Sequence, residues 1–178
     1  MVEECNEYID YLSSFEFNLD KDAIILDTEE VIELYLEDIN VWEEKANEYP
    51  VAARVWRWAT EEMGYSEYVA AGIIGNMMAE VGGHTLALKP TTKVGQYYGL
   101  CMWYLRYSPS VNGRDVEGQL NFLANTIERN MGTGHYNQLL NSTSAQSASV
   151  IFATYYERCM HPYGRQGDAM RAYRYFTS

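Results

Sequence analysis

The chain has 178 residues, 47% of them hydrophobic, and its 25 acidic and 13 basic side chains give a formal net charge of −12. That length can bury one substantial core with a small appendage rather than two full domains, no apolar run is long enough to span a membrane, and the acidic balance argues against a nucleic-acid partner. The charge is unevenly divided: residues 1–49 hold 16 acids and 2 bases, residues 50–178 hold 9 acids and 11 bases.

The acidic segment is not a solvated tail. Ile24, Ile25, Leu26, Val31, Ile32, Leu34, Tyr35, Leu36, Ile39, Val41 and Trp42 carry too much apolar surface for that. From Thr28 to about Asn47 their spacing predicts an amphipathic helix that docks on the body of the protein or on a partner subunit. Pro50 marks the boundary between an N-terminal extension, 1–49, and one folded domain, 50–178. The opening residues Met-Val-Glu-Glu-Cys-Asn-Glu lack the positive region and apolar core of a secretory signal.

Within the domain, helices are expected over 51–63, 66–81, 116–130, 135–140, 144–158 and 167–176. Strand signals are weak and confined to 85–88 and 96–103, so the fold class reads as mainly α with a small β wing. Residues 66–81 are the most informative. Val69, Ile73, Met77 and Val81 recur at i+4 with Ala70, Ile74 and Met78 beside them, while Ser66 suits an N-cap and Gly82-Gly83 ends the helix. Gly72 and Gly75 each cost roughly 1 kcal/mol in a helix interior, which implies close backbone packing and a central, buried helix.

Glu80 then falls in the last turn, at the border of the apolar face. Such surroundings disfavour the ionised carboxylate, which suits a group that delivers a proton near neutral pH, and Glu80 is the candidate general acid of a glycan-cleaving enzyme. The plainer reading is a solvated helix end.

A glycosidase normally uses two carboxylates, yet no Asp or Glu occurs between Val81 and Arg114. Asp115 and Glu117 come next, in the first turn of a helix where acids also answer the helix dipole. Glu157, beside Arg158, is another candidate for the second carboxylate, although a glutamate next to Arg on a core helix more often makes a structural ion pair or supports the site from behind. One glutamate suffices where the substrate's own acetamido or 6-hydroxyl group captures the developing cation.

Tyr97, Tyr98, Trp103, Tyr104 and Tyr107 crowd a loop-forming segment with Gly95, Gly99 and Pro109, and their rings and hydroxyls suit the mixed faces of sugars. Trp103 fits a core anchor equally well. His84, four residues beyond Glu80, is a candidate substrate contact; His135 and His161 fit no metal spacing, so neither metal nor cofactor is assigned. Three cysteines, Cys5, Cys101 and Cys159, indicate no disulfide framework, and a free buried thiol is the reading adopted.

Four pieces stand in order: A-A-G-I-I-G-N-M-M-A-E at Ala70 to Glu80, Y-G-L-C-M-W at Tyr98 to Trp103, Gln119 to Leu123, and F-A-T-Y-Y-E-R at Phe152 to Arg158. Together they resemble the phage tail lysozyme family over about Val51 to Phe176. The resemblance implies an α+β lysozyme-like fold, a bundle around the helix that ends in the catalytic glutamate, here Glu80. It also implies cleavage of peptidoglycan between its amino sugars. Beside it, the reading of the residues themselves puts Tyr97, Tyr98, Gly99, Trp103 and His84 at the glycan and keeps Glu157, Asp115 and Glu117 as supporting candidates. Two departures stand out: Val81 replaces the family's Ser and Met102 its Gln, which removes an amide able to donate and accept.

The implied partners are bacterial peptidoglycan and, through the acidic segment, virion tail proteins, with neither nucleic acid nor membrane insertion. The implied location is the virion tail, or the host cytoplasm before release, with action at the cell wall. The competing reading is a non-catalytic virion component or glycan-binding module that keeps the fold. A goose-type or invertebrate defence lysozyme fits less well, since signal and disulfide framework are absent.

Overall fold

The computed structural model describes residues 28–178. Cys5, the apolar residues Ile24, Ile25 and Leu26, and the side chains of Val31, Ile32, Leu34 and Tyr35 lie outside the described residues. Packing divides the chain into two units, Met1–Ile39 and Asn40–Ser178, and the second carries the hydrophobic core.

Helix α1 spans Thr28–Glu48, close to the expected bounds. Within the second unit, Trp42 and Ala46 pack against the core, with the Trp42 ring 6.0 Å from that of Phe176. Pro50 opens α2 (Pro50–Arg57) at the first helical position, where its missing N–H costs nothing. The expected helix over 51–63 continues as a π-helical turn, Trp58–Glu62, which Met63 N–H closes onto the Trp58 carbonyl at 3.0 Å.

Helix α3 (Glu67–Val81) is capped by Ser66, whose hydroxyl accepts from Val69 N–H. It is buried continuously from Val69 to Met78 and again at Val81, as a helix apolar on all sides must be. Its two interior glycines explain themselves by distance. A Cβ on Gly72 would lie 2.6 Å from Ala148 Cβ, and one on Gly75 would lie 2.4 Å from the backbone nitrogen of Ala169. Two other helices therefore touch α3 almost backbone to backbone: α6 (Ala145–Tyr155) and α7 (Gln166–Thr177). Asn76, fully buried, ties α3 to α6 by donating to Ser149 O at 3.0 Å and to its own Gly72 O at 2.8 Å.

The wing comprises β1 (Lys93–Val94), β2 (Tyr97–Tyr98) and β3 (Trp103–Tyr104), an antiparallel sheet in that order, with Lys93 opposite Tyr98 and Tyr98 opposite Trp103. Residues 85–88, expected as part of the wing, form no strand. Thr85 Oγ1 instead donates to Gly82 O and accepts from Ala87 N–H, a local turn that competes with any ladder, while Leu86 and Leu88 are buried in the core.

Gln119 fixes the wing to the body. It lies in α4 (Val116–Met131), is fully buried, and makes three hydrogen bonds of 2.8 Å: its Oε1 accepts from Leu100 N–H, and its Nε2 donates to the carbonyls of Pro90 and Arg114. Gly99 makes room for it, since a Cβ there would lie 2.5 Å from Gln119 Oε1 and φ is +78°.

A short α5 (Thr133–Leu140) joins α4 to α6. Helix α6 ends at Tyr155, three residues before the expected Arg158. Arg158 adopts φ +55°, and the closing hydrogen bonds are Glu157 N–H to Phe152 O and Cys159 N–H to Ala153 O. Glu157 thus sits on a turn rather than within the helix. The domain is mainly α with a small β wing, and among the described residues no helix is long and apolar enough to cross a membrane.

Gly75→Ala should destabilise the fold by about 1–3 kcal/mol through overpacking against α7, whereas Gly134→Ala, with open space at its Cβ position, should be neutral or stabilising; thermal melts of both variants test the contrast. Gln119→Leu should cost at least about 1–3 kcal/mol, because Leu100 N–H is left buried without an acceptor. The measurement that localises this loss is faster hydrogen exchange of the Leu100 amide.

Candidate active site

Glu80 reaches the surface end of α3 because the helix stops at Val81 and Gly82 turns the chain. Its side chain is 24% exposed and its Oε1 accepts from Arg165 Nη2 at 2.5 Å, the arginine being 17% exposed. Arg165 closes a 3₁₀ turn (Pro162–Arg165) that leads into α7, so the close packing of α3 on α7 determines this ion pair. The same guanidinium points Nη2 at Cys159 Sγ, 3.6 Å away, and its Nε is buried with no hydrogen-bond partner among the described residues.

Glu157 is the unusual group. Part of the residue is accessible, but both carboxyl oxygens are buried and neither has a hydrogen-bond partner among the described residues. Burial pushes its pKa well above the ordinary glutamate value; the nearby Glu80 carboxylate raises it further and Arg165 pulls the other way. One cation thus faces two carboxyl groups, and burial favours the protonated form of the Glu157 carboxyl. Cys101, a free and buried thiol, has its pKa raised by burial first and then by Glu157 and Glu80, which places it beside the same cluster.

A second rung lies next to the first. His84, four residues beyond Glu80, meets Asp168 with Nδ1 and Oδ2 2.6 Å apart; Asp168 is three residues beyond Arg165, and Arg171 Nη1 lies 3.5 Å from its other oxygen. Arg171 also donates to the His84 carbonyl. The His84 side chain is 63% exposed while the Asp168 side chain is 6% exposed, so a buried carboxylate orients an imidazole that faces solvent.

Among the described residues, three that are not glycine hold left-handed backbone: His84 (φ +63°), Met102 (φ +44°) and Arg158 (φ +55°). Each is within four residues of Glu80, Cys101 or Glu157, the pattern of strain held at a site by its surroundings.

The expected substrate residues divide by exposure. Tyr97 is 48% exposed and stacks on Tyr104 at 5.1 Å between ring centroids, and the exposed Tyr107 meets Tyr104 edge-on at 5.4 Å. Tyr98 and Trp103 are buried: Tyr98 donates its hydroxyl to Arg114 O at 3.0 Å, and Trp103 Nε1 donates to the Tyr156 hydroxyl at 2.9 Å. Thr126 Oγ1 lies 3.0 Å from that same hydroxyl, so Trp103 belongs to a core hydrogen-bond chain. Gly99 packs on Gln119. Asp115 caps α4 by accepting from Gly118 N–H at 2.8 Å, and Glu117 is held in a two-pronged pair with Arg54 at 2.6 Å.

Arg165, Asp168 and Cys159 were not among the site residues expected from the sequence. The only sequence signal for Arg165 is general: a carboxylate at the edge of a core requires a cation, and that cation is 85 positions away. Among the described residues no group of three or more His, Cys, Asp or Glu side chains is arranged to hold a metal ion. A surface groove of about 480 Å³, lined by Ala124, Asn125, Glu128, Arg129, Gly132 and Thr133, includes none of the clustered groups.

The raised pKa of Glu157 makes stability depend on pH. Above its ordinary value of 4.5 the unfolded chain releases a proton that the fold retains, so the stabilisation is complete below 4.5 and is lost as pH rises through the raised folded value. Glu157→Gln carries no such proton, and its melting temperature relative to the native chain should increase steadily as pH is raised.

A model of the phage tail lysozyme family matches residues 50–176, the whole of the body from Pro50 through almost all of α7. No curated protein and no solved structure matches the chain. The helix that delivers Glu80, the wing held by Gln119 and the turn that delivers Glu157 all lie inside that match, and the chain belongs to the phage tail lysozyme family, lysozyme-like peptidoglycan hydrolases.

Proposed function

We propose that this chain cleaves the glycan strand of peptidoglycan as a muramidase-type glycosidase, with Glu80 as general acid. The observation that carries this reading is the placement of Glu80: a part-exposed carboxyl at the end of a largely buried helix, held by one arginine and backed by a second carboxyl whose oxygens are buried. Its proton goes to the glycosidic oxygen as the C–O bond breaks, and the leaving sugar departs as an alcohol. The carbon left electron-poor is captured by water or by the sugar's own 6-hydroxyl. The first yields a reducing end and the second an anhydro sugar.

Tyr97 and His84, both solvent-facing, are the side chains best placed to meet sugar. Tyr98, Gly99 and Trp103 act from beneath, by fixing the wing that presents Tyr97. Glu117 and Asp115 support the site only through the start of α4, whose residue Gln119 anchors that wing. The basic excess of residues 50–178 favours approach to anionic wall polymers, and the acid-rich residues 1–49 suit attachment to a tail protein of opposite charge. The chain is then carried in the virion and acts on the wall.

Incubating the full chain with peptidoglycan should release muropeptides, and Glu80→Gln should slow release by about 10²–10⁴-fold. Mass spectrometry of the fragments identifies their ends. Equal release by both proteins would remove Glu80 from the chemistry, and no release by either on several wall types would favour a glycan-binding component.

A further inference from the structure

The function proposed above leaves a difficulty. Glu80 must hold a proton to act as an acid, yet its side-chain partner is the Arg165 guanidinium at 2.5 Å, a group with no proton to give. A second carboxyl, that of Glu157, belongs to the same cluster and has both oxygens buried.

We propose that Glu157 is the proton-holding partner of Glu80, and that the two carboxyls and Arg165 form one neutral cluster that carries a single proton. Three features on different elements converge on this. Glu157 presents two buried, unpartnered oxygens from the turn after α6, and a protonated carboxyl is the form that such a place tolerates. Arg165 answers the charge of only one carboxylate, and its buried Nε has no hydrogen-bond partner among the described residues. Glu80, at the end of α3, is the more exposed of the two and has one oxygen outside the arginine contact. The remaining groups that face Glu157 do not compete for its proton. Cys101 on the wing side and the phenol of Tyr156, just past α6, both have raised pKa values, with burial as the main cause. Cys159 meets the cluster through Arg165.

This inference rests on Glu80 being the acid. The proton leaves a Glu157 oxygen for the free oxygen of Glu80; Glu157, now ionised, takes over the charge of Arg165; Glu80 gives the proton to the glycosidic oxygen as the C–O bond breaks. The water or sugar hydroxyl that bonds to the anomeric carbon loses one proton, and the cluster regains it. One proton is used and one returned in each turnover. Glu157 touches no substrate and is a positioning residue acting through Glu80.

The test is carbon-13 NMR of the full chain with labelled glutamate, with Glu157→Gln and Glu80→Gln used for assignment. The Glu157 carboxyl carbon should keep its protonated shift well above the ordinary glutamate range, and Glu80→Gln, which removes a like charge, should move its midpoint to lower pH. Titration of Glu157 in the ordinary range, or a midpoint indifferent to Glu80→Gln, overturns the proposal. The kinetic arm reads the pH profile of cleavage. Glu157→Gln should displace the alkaline limb to lower pH and reduce kcat at least tenfold at neutral pH with KM changed less than twofold, whereas a profile that superimposes on the native one overturns it. Because the NMR titration is made without substrate, a chain that cleaves nothing fails the function proposed above while the spectrum still decides whether the proton is shared.

Discussion

Helix α3 meets α6 and α7 at separations that a single methyl group would violate, and the positions of the site residues follow from that approach. Gly72 admits the backbone of α6 and Gly75 that of α7. With α7 pressed onto the last turns of α3, Arg165 and Asp168 at its start come level with Glu80 and His84 at the end of α3. With α6 pressed onto the middle of α3, the turn that follows Tyr155 brings Glu157 to the same place. The helix-propensity loss at two glycines, roughly 1 kcal/mol each, is small beside the burial they permit.

Electrostatics then divides the labour between two chemically identical side chains. Glu80 retains solvent and a cation; the Glu157 carboxyl has lost the solvent and has no hydrogen-bond partner among the described residues. Taking a carboxylate out of water without a partner is expensive enough that protonation is the cheaper state. The buried thiol of Cys101 obeys the same rule, its proton held by burial and by the two neighbouring carboxyls. The wing contributes rigidity: Gln119 satisfies a buried amide at Leu100 and two carbonyls at once, and the Trp103–Tyr156–Thr126 chain joins β3 to α6 and α4.

Much of the fold was legible because it is written in local periodicity. The i+4 apolar rows of α3, Ser66 before it and Gly82 after it gave bounds within one residue of those observed. The helix over 144–158 was overextended because Tyr155, Tyr156 and Glu157 are compatible with a helix, and the left-handed backbone at Arg158 has no glycine to announce it. The strand expected at 85–88 was lost to the Thr85 hydroxyl, which bonds locally before any partner strand can. Trp103 suited both a sugar platform and a core anchor, and only its 2.9 Å hydrogen bond to Tyr156 places it in the core.

The sequence by itself determined the class of fold, the location of the buried helix, the presence of Glu80 at its end and the resemblance to the phage tail lysozyme family. These depend on neighbours within a few residues, or on motifs whose order survives in one dimension. The tertiary structure alone decided that Arg165 pairs with Glu80 across 85 positions, that Asp168 orients His84, and that the Glu157 carboxyl is sealed from water. Charge state depends on burial and on which ion lies within a few ångströms, and neither is a property of any local stretch of chain.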